Sequence, residues 1–328
     1  MYIGKSWQRV KKPVPEAIMV TGSTGFVGYP LCKKINENGG QLRRALRQVG
    51  AEEGAVVGDL GPDTDFSEAL DGVDAVVHLA ARVHVMQDDA VDPLAEFRRV
   101  NVEGTLNLAR QAAEKGVRRF VFVSSIKVNG ETTRPGQPFT ADDAAAPIDP
   151  YGISKYEAEQ ALLSLAAESE MEVAIIRPPL VYGPGVKANF LSMMRWLDKG
   201  IPLPFGAIHN QRSLVALDNL MDLILLCIEH PAAANQVFLV SDGEDMSTTE
   251  LLRRTAAALG RSARLVPVPQ WLLEQGLKMV GKAGLSQRLA ANLQIDIGKT
   301  QALLGWVPPV KVDDALRDTA THFLKSRA

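Results

Sequence analysis

The chain has 328 residues with 36 Lys and Arg against 38 Asp and Glu, and a formal net charge of -2 excludes a protein that works mainly by electrostatic capture of nucleic acid. With 46% hydrophobic and 23% charged residues it has the composition of a folded protein with one large core or two smaller ones, and wholesale disorder is excluded. Its most apolar stretches, around Ala75 to Ala81 and Leu220 to Ile228, fall short of the roughly 20 residues that a membrane span needs.

Residues 1–15 carry Lys5, Arg9, Lys11 and Lys12, and the apolar run that follows ends in a glycine turn rather than forming a signal-peptide core, so a flexible cytosolic tail is expected. Short β-branched runs then alternate with stretches of helical period, the pattern of a parallel sheet with crossover helices. Strands are predicted near Ala17 to Thr21, Gln41 to Arg47, Ala55 to Asp59, Ala75 to Leu79, Arg119 to Ser124 and Val173 to Arg177. Helices are predicted between them near Gly25 to Asn38, Ser67 to Leu70, Pro93 to Lys115 and Tyr151 to Ser169. The runs AVVHLA and FVFVSS are nearly all apolar, as strands covered on both faces should be.

After Arg177 the pattern becomes turn-rich, then resumes with helices expected near Asn189 to Lys199, Asn219 to His230, Thr248 to Leu259 and Asp313 to Lys325. The expectation is an α/β protein with a doubly wound parallel sheet over 16–177 and a smaller, less regular lobe over 178–328, some of whose segments return to the sheet. Cys32 and Cys227 each stand inside an apolar segment, which fits a reducing, cytoplasmic setting. His78, His84, His209, His230 and His322 show no metal-ligand spacing, so no metal is expected. Asp88-Asp89 and Asp142-Asp143 read as solvated loop charge, and GxSxG, the mark of one hydrolase class, is absent.

Residues Thr21 to Gly28 read TGSTGFVG, with glycines at 22, 25 and 28 between an apolar strand and an apolar-periodic helix. Glycine permits a tight turn and lets a pyrophosphate approach the helix N-terminus, where unpaired N–H groups favour anions. The context points to a Rossmann-type dinucleotide fold, with Gly22, Thr24, Gly25, Phe26, Val27 and Gly28 at the cofactor. Such folds place an acid about 20 residues on to hold a ribose, or an arginine when that ribose is phosphorylated. Arg47 stands there, beside Arg43 and Arg44, which leans the choice between NADP and NAD towards NADP.

Tyr151-Gly-Ile-Ser-Lys155 opens a helix, and its i, i+4 pair shares one face. A neighbouring ammonium favours the phenolate, so Lys155 is expected to bring Tyr151 closer to working pH as a proton carrier and to hold ribose hydroxyls. Ser124 and Ser125 end a strand at the carboxyl edge of the sheet, the usual ligand crevice.

These residues together resemble the extended short-chain dehydrogenase/reductases, in particular their nucleotide-sugar NAD-dependent epimerase/dehydratase branch, over nearly the whole chain. TGSTGFVG is similar to the branch's cofactor turn, Asp59-Leu60 to its adenine contact, His78-Leu79-Ala80-Ala81 to its strand-four signature, and Asn101 to its structural asparagine. The resemblance implies Ser125, Tyr151 and Lys155 as the catalytic trio, and Arg177-Pro178-Pro179 to VYGPG as the strand beside the nicotinamide, with Pro178 at the cofactor. It implies that Asn189, Leu203, Phe205 and Arg212 grip the nucleotide diphosphate, for which Arg212's guanidinium fork is suited, and that Arg82 lines the site. Asn129 departs from the pattern, standing where the branch usually carries tyrosine.

HLAARVHVM, SSIKVNGE and QRSLVALDNL resemble a bacterial polysaccharide-biosynthesis subgroup acting at C4 of UDP-linked N-acetylated sugars. The resemblance implies a UDP-sugar substrate and a homodimer. The two activities sharing the trio are 4-keto reduction and 4-epimerisation, and Arg47 tips the expectation to an NADPH-using reductase with 4-epimerase as the alternative. A non-catalytic NADP(H) sensor is the rival of another class, and Tyr151 with Lys155 counts against it. Dehydratases of this resemblance follow the hydroxyl residue with Asp-Glu, whereas Ser125 is followed by Ile126 and Lys127, so no elimination of water is expected.

Overall fold

The computed structural model describes residues 17–83, 92–269, 271–273, 275 and 290–327. The expected tail at 1–15, His84 and Asp88-Asp89 lie outside the described residues. From the N-terminal side the chain forms β1 (Ala17–Thr21), α1 (Gly28–Glu37), β2 (Gln41–Leu46), β3 (Ala55–Val56) and β4 (Ala75–His78). It continues with α2 (Pro93–Arg98), a π-helical turn (Arg99–Gly104), α3 (Thr105–Glu114), β5 (Arg119–Val123), a 3-10 turn (Ile126–Val128), α4 (Pro150–Glu168) and β6 (Glu172–Arg177).

Beyond β6 come β7 (Leu180–Tyr182), α5 (Ala188–Asp198), β8 (Arg212–Ala216), α6 (Leu217–Glu229), β9 (Gln236–Leu239), β10 (Asp245–Met246), α7 (Thr248–Ala258), α8 (Gly298–Leu304) and α9 (Val312–Lys325). The main sheet is parallel throughout in the order β3-β2-β1-β4-β5-β6-β9. Strand order reverses between β1 and β4, and the carboxyl ends there open the crevice where such sheets bind ligands.

Strand periodicity splits the core in two. Ile18, Val20, Val77 and Val121 face α1 and α6, packing with Leu31, Ile35, Leu220 and Ile224. Met19, Val76, Phe120 and Phe122 face the other way, packing with Leu108 and Leu162 of α3 and α4. The central strands β1 and β4 are buried along their whole length, which is why their sequences are almost all apolar. A third core of Tyr182, Phe190, Met194, Leu252, Leu316 and Phe323 holds the remaining elements together, with the small sheet β10-β8-β7 against it.

Several elements differ from expectation. The strand expected over Ala55 to Asp59 pairs only at Ala55 and Val56, because Gly58 turns the chain at φ +80. Ser67 to Leu70 is a turn rather than a helix, stopped by Gly72 at φ +68. The helix expected from Gly25 starts at Gly28, since the glycines before it form the turn itself. The helix expected over Pro93 to Lys115 is interrupted by the π-helical turn. Strand β7 lies in the segment from Arg177 to VYGPG that the family resemblance gives as a strand, whereas β8 to β10 had no sequence expectation. Among the described residues no helix is long and apolar enough to cross a membrane, and no group of three His, Cys, Asp or Glu could hold a metal.

Candidate active site

The glycine turn leaves β1 and doubles back before α1. Gly22 adopts φ +65, and a Cβ there would stand 2.9 Å from the Ala80 amide nitrogen. A Cβ on Gly28 would stand 2.1 Å from the Gly22 carbonyl oxygen, so the close approach of turn and helix requires glycine. Thr24 and Gly25 are exposed, Phe26 and Val27 pack on the core, and α1 starts with no side-chain cap and no acid in its first turn. The Ser23 hydroxyl is buried at the turn without a hydrogen-bond partner among the described residues. Open amides at a helix start, a path free of Cβ atoms and an unsatisfied hydroxyl fit a dinucleotide pyrophosphate.

Thr21 fixes the neighbouring strand end. Its Oγ1 accepts from the amides of Leu79 and Ala80 at 3.2 Å, so its own proton goes to His78 Nδ1 at 2.7 Å. The imidazole then donates from Nε2 to Thr105 Oγ1 at 2.9 Å. Burial, with a smaller push from Lys155, drives His78 down to about 3, and the ring is neutral. Asn101, in the π-helical turn, accepts from the Arg82 amide at 2.8 Å and donates to the Arg82 carbonyl and Ser154 Oγ at 3.0 Å. It thereby clamps the loop after β4 to α4, a positioning role rather than an open contact surface. Gly104, ending that turn, lies against Leu60.

Ser125, Tyr151 and Lys155 come together where β5 and β6 end. Asp149 caps α4 by accepting from the Gly152 amide at 2.7 Å, and Pro150 fixes the first turn, so Tyr151 leaves the helix start in a set direction. The Tyr151 phenol lies near the Ser125 side chain, and its ring meets Phe97 edge-on at 6.1 Å. Arg82 stacks on the other side of that system, 5.6 Å over the Phe97 ring. Ser125 is held by the amide of Ile126, which donates to the Pro178 carbonyl at 3.0 Å and so ties the trio to the end of β6.

Lys155 Nζ donates to the Val123 carbonyl at 2.9 Å and lies 4.3 Å from the Phe122 ring centre. Burial pushes Lys155 down to about 7 against the pull of Glu159. Burial first, then the Asp149 charge, pushes Tyr151 up to about 12, while the nearby Ser125 side chain works the other way. The expectation that Lys155 brings Tyr151 closer to working pH meets a large opposing influence from burial, which keeps the phenol protonated at neutral pH.

Behind the trio lies a buried polar cluster that the sequence reading did not assemble. Ser124, expected at the cofactor, donates its hydroxyl to Glu159 Oε1 at 2.5 Å. Arg177 grips the same carboxylate through Nε at 2.9 Å and Nη2 at 2.5 Å, and donates to Asn129 Oδ1 at 2.9 Å. Asn129 in turn donates to the Thr140 carbonyl at 2.9 Å, which gives this departure from the branch a definite packing role. The spacing of Tyr151, Lys155 and Glu159 at successive fours was visible in the sequence as a helical stripe.

The other expected site residues are placed apart from the trio. Arg47 forms an exposed ion pair with Asp59 at the carboxyl edge of β2, so these two are brought to one place. Asn189 is exposed at the start of α5, after Ala188 at φ +52. Leu203 is 6% exposed and belongs to the third core, which corrects its place as a ligand contact. Phe205 is half-buried against that core, and its carbonyl accepts from Thr249 at 2.6 Å. Arg212 opens β8, donates to the Ala291 carbonyl at 3.2 Å, and has its pKa lowered by burial.

Residues 18–241 match the NAD dependent epimerase/dehydratase family. The chain is 51% identical over 320 residues to a Vibrio cholerae protein named UDP-glucose 4-epimerase, covering 96% of this chain and 98% of that one. Among solved structures it resembles UDP-glucose 4-epimerase of Thermotoga maritima with UDP-glucose, at 24% identity and a TM-score of 0.75 over 95% of this chain and 100% of that one. It also resembles UDP-glucuronic acid 4-epimerase of Bacillus cereus with NAD, at 20% identity and a TM-score of 0.76 over 94% and 96%. These structural likenesses speak for the fold.

Proposed function

The chain belongs to the NAD dependent epimerase/dehydratase family, and from that premise we propose that it is an NAD(P)-dependent enzyme acting at C4 of a UDP-linked sugar, as a 4-epimerase. The observation that carries the reading is the meeting of Tyr151, Ser125 and Lys155 at the carboxyl ends of β5 and β6, in the same sheet whose first strand leads into the glycine turn. The sequence reading preferred a 4-keto reductase. Near-complete alignment with a relative named UDP-glucose 4-epimerase favours the alternative instead.

The bound dinucleotide supplies the acceptor and donor of a hydride. Gly22 to Gly28 take its pyrophosphate, and Lys155 its ribose hydroxyls. Tyr151, protonated at neutral pH, stands ready to give a proton to the sugar O4 when a 4-keto carbon is reduced. In the oxidising direction the same oxygen, as the phenolate, takes the O4 proton, and a charged Lys155 stabilises that phenolate. Ser125, near Tyr151, orients the reacting oxygen.

Elimination of water lacks its groups. Ile126 is buried in the core, and Lys127 is paired with Asp149 and, at 3.3 Å, with Glu131. The second reading, a reductase, is favoured by one observation, the arginine rather than acid at the edge of β2. A homodimer acting in surface-polysaccharide synthesis is part of the proposal.

Incubation with UDP-glucose or UDP-N-acetylglucosamine and catalytic NAD, followed by NMR, tests it. A C4 epimer formed without net cofactor change is expected. Absence of any epimer, with NADPH consumed on a 4-keto sugar, would establish the reductase instead. No product lighter by one water should form. Tyr151→Phe should lower kcat by at least ~100-fold while leaving cofactor affinity nearly intact.

A further inference from the structure

Glu159 stands one helical turn after Lys155 and two after Tyr151, so α4 presents all three towards the ends of β5 and β6. It has no exposed surface. Its polar partners lie in segments that also carry site residues: Ser124 precedes Ser125, and Arg177 precedes Pro178. Asn129, bonded to Arg177, closes the 3-10 turn that Ser125 opens.

Such a cluster is more elaborate than packing requires, because a well-fitted apolar group in place of a buried ion pair often costs nothing. The partners of Lys155 itself are neutral, a carbonyl and an aromatic ring. The titratable groups that act on it are Glu159 on its own helix and His78 on β4, with Arg177 of β6 paired to Glu159 and Tyr151 one helical turn before it. With Tyr151 protonated and His78 neutral, Glu159 is the negative charge in that set.

We propose that Glu159 is a positioning residue for Lys155: a buried carboxylate, locked by Arg177 and Ser124, that keeps the neighbouring ammonium charged in an apolar pocket. This rests on the role of Lys155 proposed above and extends it. The carboxylate lies on the lysine's own helix one turn away and its charge favours the ammonium, while the guanidinium that holds the carboxylate comes from β6. Burial already draws Lys155 down to about 7, the region where loss of one favourable charge decides whether it is ionised.

The test is a ¹³C-lysine NMR titration of the full chain, with the Lys155 resonance assigned by its absence from Lys155→Met. It reads the lysine directly and requires no sugar substrate, so its failure is distinct from failure of the C4 reading. Glu159→Gln should lower the Lys155 pKa by about one unit or more. The alkaline limb of turnover should move to lower pH by the same amount. Ser124→Ala, which removes one hydrogen bond and keeps the charge, should leave the titration in place.

If Glu159→Gln does not fold, Glu159→Gln combined with Arg177→Met removes both charges without stranding the guanidinium, and a smaller downward shift is expected, because the repulsion from Arg177 goes with it. A Lys155 resonance titrating as in the wild type in whichever of these variants folds would overturn the proposal. So would an equal shift in Ser124→Ala, which would make the cluster merely structural.

Discussion

Thr21, His78 and Thr105 form a closed chain of hydrogen bonds in which the imidazole donates once and accepts once. A histidine held near 3 takes no proton in the folded state across the range where the unfolded chain, near 6.5, does. The stability tied to its neutral form is therefore fully present above pH 6.5 and is lost as pH falls towards 3. Denaturant midpoints should drop from pH 7 to pH 5, and His78→Gln, though less stable at pH 7, should show a shallower drop. Parallel curves would remove His78 as the cause. Arg47 carries a separate prediction: Arg47→Ala should weaken NADPH by ~10 to 100-fold in calorimetric titration and hardly change NADH. Equal losses would make its pair with Asp59 structural. Tyr151 and Lys155 were legible because a four-residue spacing at a helix start has an immediate chemical meaning. Glu159 kept the same spacing but was silent, since nothing local shows that Arg177, eighteen residues on, would turn back onto it. The desolvation of the half-buried Tyr151 was equally hidden, because it depends on Phe97 and the other segments packed around it.

The elements that position the site owe their form to a few local devices. The turn before α1 works because three glycines let its carbonyls pass within van der Waals range of the helix start. Gly28→Ala would place a Cβ 2.1 Å from the Gly22 oxygen, so the turn must move. Overpacking of this kind costs about 1 to 3 kcal/mol, and here the distortion falls on the pyrophosphate cradle. NADH binding followed by fluorescence should weaken by at least ~10-fold, and unchanged affinity would show that the cradle lies elsewhere. Strands β1, β4 and β5 were readable as apolar runs, and α4 by the spaced pair Tyr151 and Lys155 at its start, while its Asp149-Pro150 cap was not read. The π-helical turn was not, because one wide turn leaves the helical period almost intact while it rotates Asn101 towards Arg82 and Ser154.

Across the whole molecule, the main sheet and the second region are joined by more than the peptide chain. Helix α6 and β9 lie late in sequence yet pack on β5 and pair with β6. Asp242 accepts from the Ala216 amide at 2.8 Å, from Asn219 at 2.7 Å and from Tyr182 at 2.8 Å, fixing β7, β8 and α6 to one another. Residues Asn292 to Ile295 run between the 133–139 loop and β8, bonded to Thr133 and Phe139 on one side and Ser213 on the other. Such long-range pairings leave no periodic trace, which is why β8 to β10 went unpredicted while the first six strands could be placed along the chain. The central claim, reversible hydride chemistry at C4 of a UDP-sugar, is tested most directly with UDP-glucose deuterated at C4. The account predicts a C4 epimer that keeps its deuterium at C4, formed at least ~100-fold more slowly by Tyr151→Phe. An epimer whose C4 deuterium has been lost to water, or one formed equally fast by Tyr151→Phe, would contradict it.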